Sequence, residues 1–451
     1  MSNRDLGTGS VGKLLWSLSL PAIVAQLVNM LYNIVDRIFI GHLPDVGSDA
    51  LTGVGVTFPV LILISAFASL VGMGGAPRAA IKMGQKDNDA AEKIVGNCFV
   101  LLILTSIVLT AGFLLFGEQL LYVFGASDAT AGYGWDYLKI YILGTFFVLM
   151  TLGMNAFLTT QGFAKESMIT VLIGAVLNIA LDPLFMFVFD MGVRGAALAT
   201  VLSQGVSCVW VLAFLFGKRT KLRIRRETLR LRKEIILPVI ALGISPFIMQ
   251  STESLLSMAY NSSLQKYGGD LAVGAMTICT SVIQLVSMPL TGLCQGAQPI
   301  ISYNYGAGNI ARVKKTFWLL FGICVGFCSL FWLAAQLFPA VFANIFSSDA
   351  AFTDYAAWAL RVYLFGVFAS GAQRACQQTF VALDEAKSSI FLALLRKIIL
   401  LIPMIYILPL FFADDVFAVF LAEPIADIVA ATCTTALFLW KFKDIAKRMV
   451  K

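Results

Sequence analysis

A row of polar residues recurs at helical spacing inside the first apolar stretch of the chain. The row consists of Gln26, Asn29, Asn33 and Asp36, spaced i, i+3, i+7 and i+10. This spacing places all four on one face of a helix, over a length of about 15 Å. On so apolar a helix, polar groups must face protein or water rather than lipid. The pattern therefore predicts an internal polar cavity with a carboxyl group near one end.

A second acid lies in the apolar segment "LNIALDPLF". Asn178 and Asp182 are four residues apart and share a helix face. Pro183 cannot donate a backbone N–H, so nearby carbonyl groups are left free to contribute to a cation or proton site. Two carboxyl groups in a low-dielectric setting can be held as acids near neutral pH, and they can then load and release protons. We therefore predict that Asp36 and Asp182 bind a proton or a cation.

Simpler interpretations of both acids stay open at this point. Asp36 could form a local salt bridge with Arg37, or lie close enough to the outer interface for its charge to reach water. For Asp182, a helix cap or a loop position is less natural within its segment.

Composition places these acids in a membrane protein. Hydrophobic residues make up 59% of the 451 residues and charged residues only 13%, and the mean hydropathy is +0.85. Such values lie far outside the balance of soluble domains. Stretches long enough to cross a bilayer occur at 14–40, 51–76, 94–116, 135–158, 168–189, 194–216, 236–262, 271–301, 317–342, 355–382, 390–412 and 416–440. We therefore predict an all-α integral membrane protein with twelve transmembrane helices.

The distribution of basic residues predicts the orientation. The connector 218–234 contains nine Lys and Arg residues, and the loops after the second, fourth, eighth and tenth stretches are also basic. The opposite loops carry mainly acids, so the positive-inside rule places both termini in the cytoplasm. The first stretch is too long for a signal peptide and lacks a cleavage site. The basic connector thus indicates membrane topology rather than nucleic-acid binding.

An internal repeat divides the chain into two halves. The segment from Leu70 to Asn88 resembles that from Thr291 to Asn309, and "YLKIYILGTFF" resembles "ALRVYLFGVFA". An offset close to 222 residues also relates Asn155 to Gln377. Six crossings return the chain to the same side, so the halves are parallel repeats. We expect an N-terminal six-helix lobe over 1–217, the basic connector over 218–234 and a C-terminal lobe over 235–451.

Four motifs resemble the multidrug and toxic compound extrusion (MATE) transporters, most closely the bacterial MepA-like branch. They are "LSLPAIVAQLVNMLYNIVDRIFIGHL", "LNIALDPLFMF", "VRGAALATVLSQ" and "GAQPIISYNYGAGN", in this order along the whole chain. The resemblance implies two pseudo-symmetric lobes around a central cavity in a bacterial cell membrane. It also implies export of drugs and dyes by alternating access, in exchange for protons or sodium ions, with protons favoured here. Asp36 and Asp182 match the first-half acidic positions that the family uses.

The predicted sites then fall into two sets. For the coupling ion we predict Asp36, Asp182, Asn178, Asn33 and Asn155. For substrate binding or gating we predict Glu253, Gln26, Asn29, Tyr32, Met154, Gln250, Gln284, Arg374 and Gln377.

The second half is not chemically equivalent to the first. The stripe recurs there with Gln250 and Glu253, but Tyr260 stands where Asp36 stood. Glu253 matches an acidic position of a NorM-like branch, whose additional acid in the tenth helix is missing here. Glu253 could instead pair with Arg374, as a gate or a structural bridge, or attract cationic drugs. Glu423 is a further intramembrane acid for which the sequence indicates no partner.

Other classes of protein fit the sequence less well. The only histidine is His42, in a predicted external loop, and no catalytic cluster, nucleotide-binding motif or metal-ligand set appears, so we expect neither an enzyme nor a cofactor. The eight cysteines lie in or beside the spans and are most simply apolar fillers. The main alternative is a flippase of lipid-linked oligosaccharide or another amphiphile, which would need a strongly cationic cavity. We expect the protein to act as a monomer.

Overall fold

The computed structural model describes residues 6–44, 47–346 and 349–450. Within these ranges the chain is almost entirely helical and no strand is present. Nine helices of the described residues are long and apolar enough to cross a membrane, and the bent pair Asp128–Leu143 and Thr145–Thr160 makes a tenth candidate. The protein is therefore a multi-pass membrane protein, as its composition predicted.

The longest helix contains two of the predicted spans. Lys233–Gly306 comprises 74 residues, whereas about 20 residues cross a bilayer core. Gly269 interrupts it with φ 62° and ψ −159°, a conformation that is essentially restricted to glycine. The chain therefore turns back at Gly269, and residues 233–268 and 270–306 are separate spans.

Dividing the long helix raises the ten candidates to eleven, and the interrupted helix over 350–382 completes twelve spans among the described residues. Spans 1 to 6 are Val11–Gly41, Gly47–Gly84, Asn88–Val123, the bent pair Asp128–Leu143 and Thr145–Thr160, Ala164–Pro183 with the π-helical turn Leu184–Val188, and Gly192–Phe216. Spans 7 and 8 are the two parts of Lys233–Gly306, and span 9 is Ile310–Leu337 with the short helix Pro339–Asn344. Span 10 is Ala350–Tyr363, Leu364–Gly366 and Val367–Ala382; span 11 is Ala386–Leu394, Leu395–Leu401, Ile402–Ile407 and Leu408–Leu410; span 12 is Asp415–Val450.

Helix ends repeat at the offset found in the sequence. Span 3 begins at Asn88 and span 9 at Ile310, while spans 5 and 11 begin at Ala164 and Ala386. Each pair is separated by 222 residues. The turns agree as well: positive φ angles occur at Lys86 and Gly308, and at Gly162 and Asp384. The predicted pseudo-symmetry between spans 1–6, the N-terminal lobe, and spans 7–12, the C-terminal lobe, is confirmed. The residue boundaries of the two lobes stay a prediction.

The first turns of spans 1 and 7 cross into the opposite lobe. Leu14, Leu15 and Leu18 of span 1 belong to the buried core that spans 7–12 build. Val239 of span 7 belongs to the core of the N-terminal lobe. This reciprocal exchange attaches each lobe to the other at the membrane side that carries the termini and the connector, which we call the terminal side.

Glycines bring the lobes into backbone contact on the terminal side. A Cβ atom on Gly84 would overlap the carbonyl oxygen of Tyr303, and one on Gly306 would overlap that of Ile81. The two contacts are related by the 222-residue offset, so the ends of spans 2 and 8 touch across the pseudo-two-fold axis. Only glycine allows so close an approach of two helix backbones.

Polar contacts reinforce this closure. Arg78 of span 2 forms an ion pair with Asp384, in the turn between spans 10 and 11. The Asn304 side chain donates to the Leu6 carbonyl oxygen at 3.0 Å. Nearer the membrane centre, the Ser69 hydroxyl donates to Gln250 Oε1 at 2.9 Å. These bonds close the space between the lobes on the terminal side.

The basic connector is an ordered strap along the N-terminal lobe. Gln161, which is 1% exposed, accepts hydrogen bonds through Oε1 from the backbone N–H groups of Lys221 and Leu222, at 2.8 and 2.9 Å. Glu92 Oε1 accepts from the backbone of Arg223 at 3.1 Å. Asn97 Oδ1 accepts from the backbone N–H of Arg232 at 2.8 Å. Two side chains of span 3 and one directly after span 4 thus fix a segment that composition alone would describe as a solvated loop.

Candidate functional site

A cavity of about 670 Å³ lies between the two lobes. Its walls come from spans 1, 2, 4, 5 and 6 on one side and from spans 7, 8, 10 and 11 on the other. Ten of the predicted site residues line it: Gln26, Asn29, Tyr32, Asn33, Asn155, Asn178, Gln250, Glu253, Arg374 and Gln377. The volume suits a drug-sized molecule.

The polar stripe of span 1 faces this cavity, as its spacing predicted. Gln26 reaches across to the C-terminal lobe, where its Nε2 donates to Gln295 Oε1 at 3.3 Å. Asn33 donates to the Asn29 carbonyl oxygen of its own helix at 2.6 Å. The Tyr32 side chain contacts Asn33 and lies close to the Asp36 carboxyl group. The stripe therefore leads along span 1 from the centre of the cavity to Asp36.

Asp36 and Asp182 meet just beyond the cavity lining. Their carboxyl groups lie within hydrogen-bonding reach of one another, and Asp182 is fully buried. Asp36 Oδ1 and Asp182 Oδ2 are buried without a hydrogen-bond donor among the described residues. Two ionised carboxylates can only accept hydrogen bonds, so they cannot satisfy each other. A proton on one carboxyl group would provide a hydrogen bond between the two acids. A cation between them would instead be bound by both oxygens.

Asn178 connects this acid pair to the cavity. Its Nδ2 donates to Asp182 Oδ1 at 3.1 Å and to Thr200 Oγ1 at 3.2 Å. Its own Oδ1 is buried, and no residue that the structure describes donates to it. The Tyr137 ring lies behind, with its hydroxyl facing Thr200 and close to Asp36. Asn178 is thus the one predicted amide that touches an acid of the pair and also lines the cavity.

Arg37 does not neutralise Asp36 by direct contact. No ion pair within 4.0 Å joins the two among the described residues, and the Arg37 guanidinium instead lies over the Phe58 ring, 4.2 Å from its centroid. Adjacent residues on a helix point about 100° apart, which explains the separation. The local salt bridge considered for Asp36 is therefore wrong.

Three predicted positions require correction. Asn155 donates to the Ser167 carbonyl oxygen at 3.2 Å, and Ser167 is fifteen residues before Asp182 on span 5, roughly 20 Å along a helix. Asn155 therefore lies far from the acid pair. Met154 is fully buried in the N-terminal core, because it points away from the face of span 4 that carries Asn155. Gln284 is exposed on span 8 and does not line the cavity.

Glu253 pairs with Lys397, not with Arg374. The Lys397 ammonium donates to Glu253 Oε1 across spans 11 and 7. Lys397 has a side chain only 6% exposed, whereas that of Glu253 is 56% exposed and faces the cavity. Arg374 donates instead to Ser287 Oγ at 2.8 Å. The pairing with Arg374 considered from the sequence is wrong because Lys397 comes from a span whose neighbours the sequence does not reveal.

Behind this wall lies a cluster that the sequence analysis missed. Arg396 pairs with Asp427 at 2.6 Å and with Glu423 at 3.0 Å. Tyr260 donates to the other Glu423 oxygen at 2.9 Å. Glu423 thus has two partners, and Tyr260 occupies the place of Asp36 in the repeat. The sequence did contain one indication of this cluster, because Asp427 follows Glu423 by four residues and lies on the same helix face.

Gln377 belongs to a network inside the C-terminal lobe. Its Nε2 lies 2.9 Å from Ser245 Oγ, Ser389 Oγ and the Ser389 carbonyl oxygen. The network joins spans 7, 10 and 11 and leaves only part of the amide facing the cavity. Gln377 is 4% exposed, so its main contribution is to hold spans 7, 10 and 11 together.

Comparisons with known proteins agree with this architecture. The MatE family model matches residues 21–184 and 246–407, one copy in each lobe. The multidrug export protein MepA of Staphylococcus saprophyticus is 27% identical over 437 residues, 93% of each chain. MepA of Staphylococcus aureus strain MRSA252 is 24% identical over 93% of this chain and 92% of its own. A crystal structure of MATE in the bent conformation superposes with a TM-score of 0.92 at 23% identity, covering 98% of both chains. The chain belongs to the MatE family.

Proposed function

We propose that this protein is a secondary active multidrug efflux transporter of a bacterial cell membrane. It exports hydrophobic and cationic drugs in exchange for protons. The MepA relatives are export proteins that match nearly the full chain, and the central cavity has the volume of a drug site. The observation that carries the proposal is the acid pair beside that cavity, in which Asp36 Oδ1 and Asp182 Oδ2 are buried with no donor in the described part of the chain.

A shared proton accounts for the acid pair in the simplest way. When one of the two carboxyl groups is protonated, its O–H can donate a hydrogen bond to the other, ionised carboxylate. The proton also removes the repulsion between two buried negative charges. The unsatisfied Asn178 Oδ1 adds a third oxygen, so a sodium ion is the competing occupant. An inward proton moving down about 100 mV releases roughly 2.3 kcal/mol before any pH gradient is added.

The positions at which the lobes touch support a mechanism of alternating access. The glycine contacts and the Arg78–Asp384 ion pair close the terminal side. With both termini in the cytoplasm, as the basic connector indicates, this conformation faces outward. Protonation of the acid pair would then accompany drug release, and breaking the terminal-side contacts would admit the next drug from the cytoplasm.

The test is drug transport by purified protein in liposomes. Ethidium transport is measured with an imposed pH gradient or an imposed sodium gradient, for wild type and Asp36→Asn. We expect transport driven by the pH gradient and lost in the variant. Asp354→Asn, the same change at an exposed position of span 10, is the matched control and should transport normally. Sodium-driven transport would refute proton coupling, and full activity of Asp36→Asn would refute the role of the acid pair.

A flippase for an anionic amphiphile is the second candidate, and one observation favours it. Arg374, Arg396 and Lys397 all line the C-terminal wall of the cavity, which is more cationic than the sequence indicated. Deletion of the gene separates the two functions. A drug exporter leaves a drug-hypersensitive strain with normal surface polysaccharide, whereas a flippase leaves a strain with altered surface polysaccharide and normal drug sensitivity.

A further inference from the structure

The charges of the cavity wall are distributed unequally between the lobes. Arg374, Arg396 and Lys397 face the cavity from the C-terminal lobe. The 222-residue offset relates them to Leu152, Gly174 and Ala175, which line the cavity from the N-terminal lobe and carry no charge. The cationic wall is therefore a property of one lobe only, and the pseudo-symmetric fold does not require it.

The three cations differ in their partners. Arg396 is neutralised behind the wall by Glu423 and Asp427. Lys397 has Glu253, whose half-exposed side chain projects into the cavity. Arg374 donates to the neutral Ser287 hydroxyl, and no carboxylate lies within 4.0 Å of it among the described residues. A guanidinium within a membrane span is costly without an anion, so Arg374 has capacity for one more partner.

The position of Glu253 indicates that the anion that fits beside Arg374 is a carboxylate. Its carboxylate already lies at Lys397, and the charges of Arg396 and Arg374 also act on it. One carboxylate thus occupies the neighbourhood of three cations, and its side chain is the most exposed of the four. A second carboxylate that enters from the cavity could bind Arg374 and displace Glu253 from Lys397. It would form charge-assisted hydrogen bonds to both cations.

We propose that Arg374 and Lys397 form a subsite for a carboxylate group of the transported molecule, and that Glu253 occupies this subsite when no such group is bound. The proposal rests on the proposed drug transport and names part of its substrate range. Molecules with an apolar ring system and a carboxylate would bind with the carboxylate against spans 10 and 11. Cationic drugs without a carboxylate would leave the Glu253–Lys397 pair intact.

A pair of dyes tests the subsite directly. Rhodamine 6G carries an ethyl ester, and hydrolysis of that ester gives the matching free acid with the same ring system. The affinity of each dye for the purified protein is measured by fluorescence polarisation, and the acid-to-ester ratio of affinities is compared between variants. The ratio cancels any general effect of a substitution on the cavity.

The two substitutions should act in opposite directions. Arg374→Gln should lower the ratio about tenfold or more, the factor expected for loss of a hydrogen bond between charged groups. Glu253→Gln should raise the ratio, because it removes the internal competitor and leaves Lys397 without its carboxylate. Arg361→Gln, at an exposed position of span 10, is the matched control and should not change it.

The outcomes separate this proposal from the function on which it rests. Ratios that are the same in wild type, Arg374→Gln and Glu253→Gln would overturn the subsite, while ester binding would leave drug transport standing. Failure of wild type to bind either dye would count against both. If Arg374→Gln does not fold, the increase expected for Glu253→Gln still decides the question.

Discussion

Removing the Gln161 amide should detach the basic strap from the N-terminal lobe. Gln161 Oε1 is the acceptor for the backbone N–H groups of Lys221 and Leu222, and it also accepts from the Thr220 hydroxyl at 2.7 Å. Leu222 is fully buried. In Gln161→Ala, both backbone donors lose this acceptor, and the Leu222 donor lies in a site closed to water.

The magnitude follows mainly from the Leu222 donor, which is fully buried. A buried donor that loses its acceptor costs about 1 to 3 kcal/mol, and the half-exposed Lys221 adds less. The docked strap is therefore destabilised by at least about 1 kcal/mol. Since about 1.4 kcal/mol corresponds to a factor of ten, the detached strap should become at least about 5-fold more populated.

The rate of trypsin cleavage measures how often the strap detaches, because trypsin cuts after Lys and Arg and the strap is rich in both. Cleavage needs a detached segment, so its rate follows the population of the open form when opening and closing are fast. We expect Gln161→Ala to be cut within the connector at least about 5-fold faster than wild type. Gln85→Ala, at the exposed end of span 2, is the matched control. Equal cleavage rates for Gln161→Ala and wild type would refute the reasoning.

Further substitutions test the lobe contacts and the buried cluster. Gly84→Leu should lower the melting temperature and disfavour the closed terminal side, because its side chain meets the Tyr303 carbonyl; overpacking typically costs about 1 to 3 kcal/mol, and an unchanged melting temperature would contradict the contact. Asp384→Asn removes a partly exposed ion pair with Arg78 and should cost at most about 1 kcal/mol of stability. It should nevertheless shift spin-label distances across the terminal side toward the open form, and unchanged distances would argue against a latch. Tyr260→Phe should cost about 1 to 3 kcal/mol in thermal unfolding, since a buried Glu423 oxygen loses its donor; no loss would mean that water replaces the hydroxyl.

The sequence predicted much of the fold because hydropathy is a local signal and the internal repeat is visible when the two halves of the chain are compared. The span positions and the cavity-facing stripe of span 1 depend on residues close together in the chain. The acid pair was also predictable as a pair of candidates, since Asp36 and Asp182 are exceptional in such apolar helices.

Contacts between spans that are far apart in the chain could not be predicted from the sequence. Lys397 reaches Glu253 across 144 residues, and nothing in either span specifies that they are neighbours. Met154 and Asn155 are adjacent in the chain but point to different faces, and only the packing of span 4 decides which one meets the cavity. Arg396 and Lys397 lie well inside span 11, and nothing in the local sequence indicates that their acidic partners come from spans 7 and 12.

The central claim is that Asp36 and Asp182 share a proton that the drug displaces. The most direct measurement is proton release when ethidium is added to purified protein in weakly buffered solution, followed with a pH indicator. We predict release of a proton on ethidium binding by wild type, independent of sodium, and none by Asp36→Asn. Binding without proton release in wild type, or equal release by Asp36→Asn, would contradict the account.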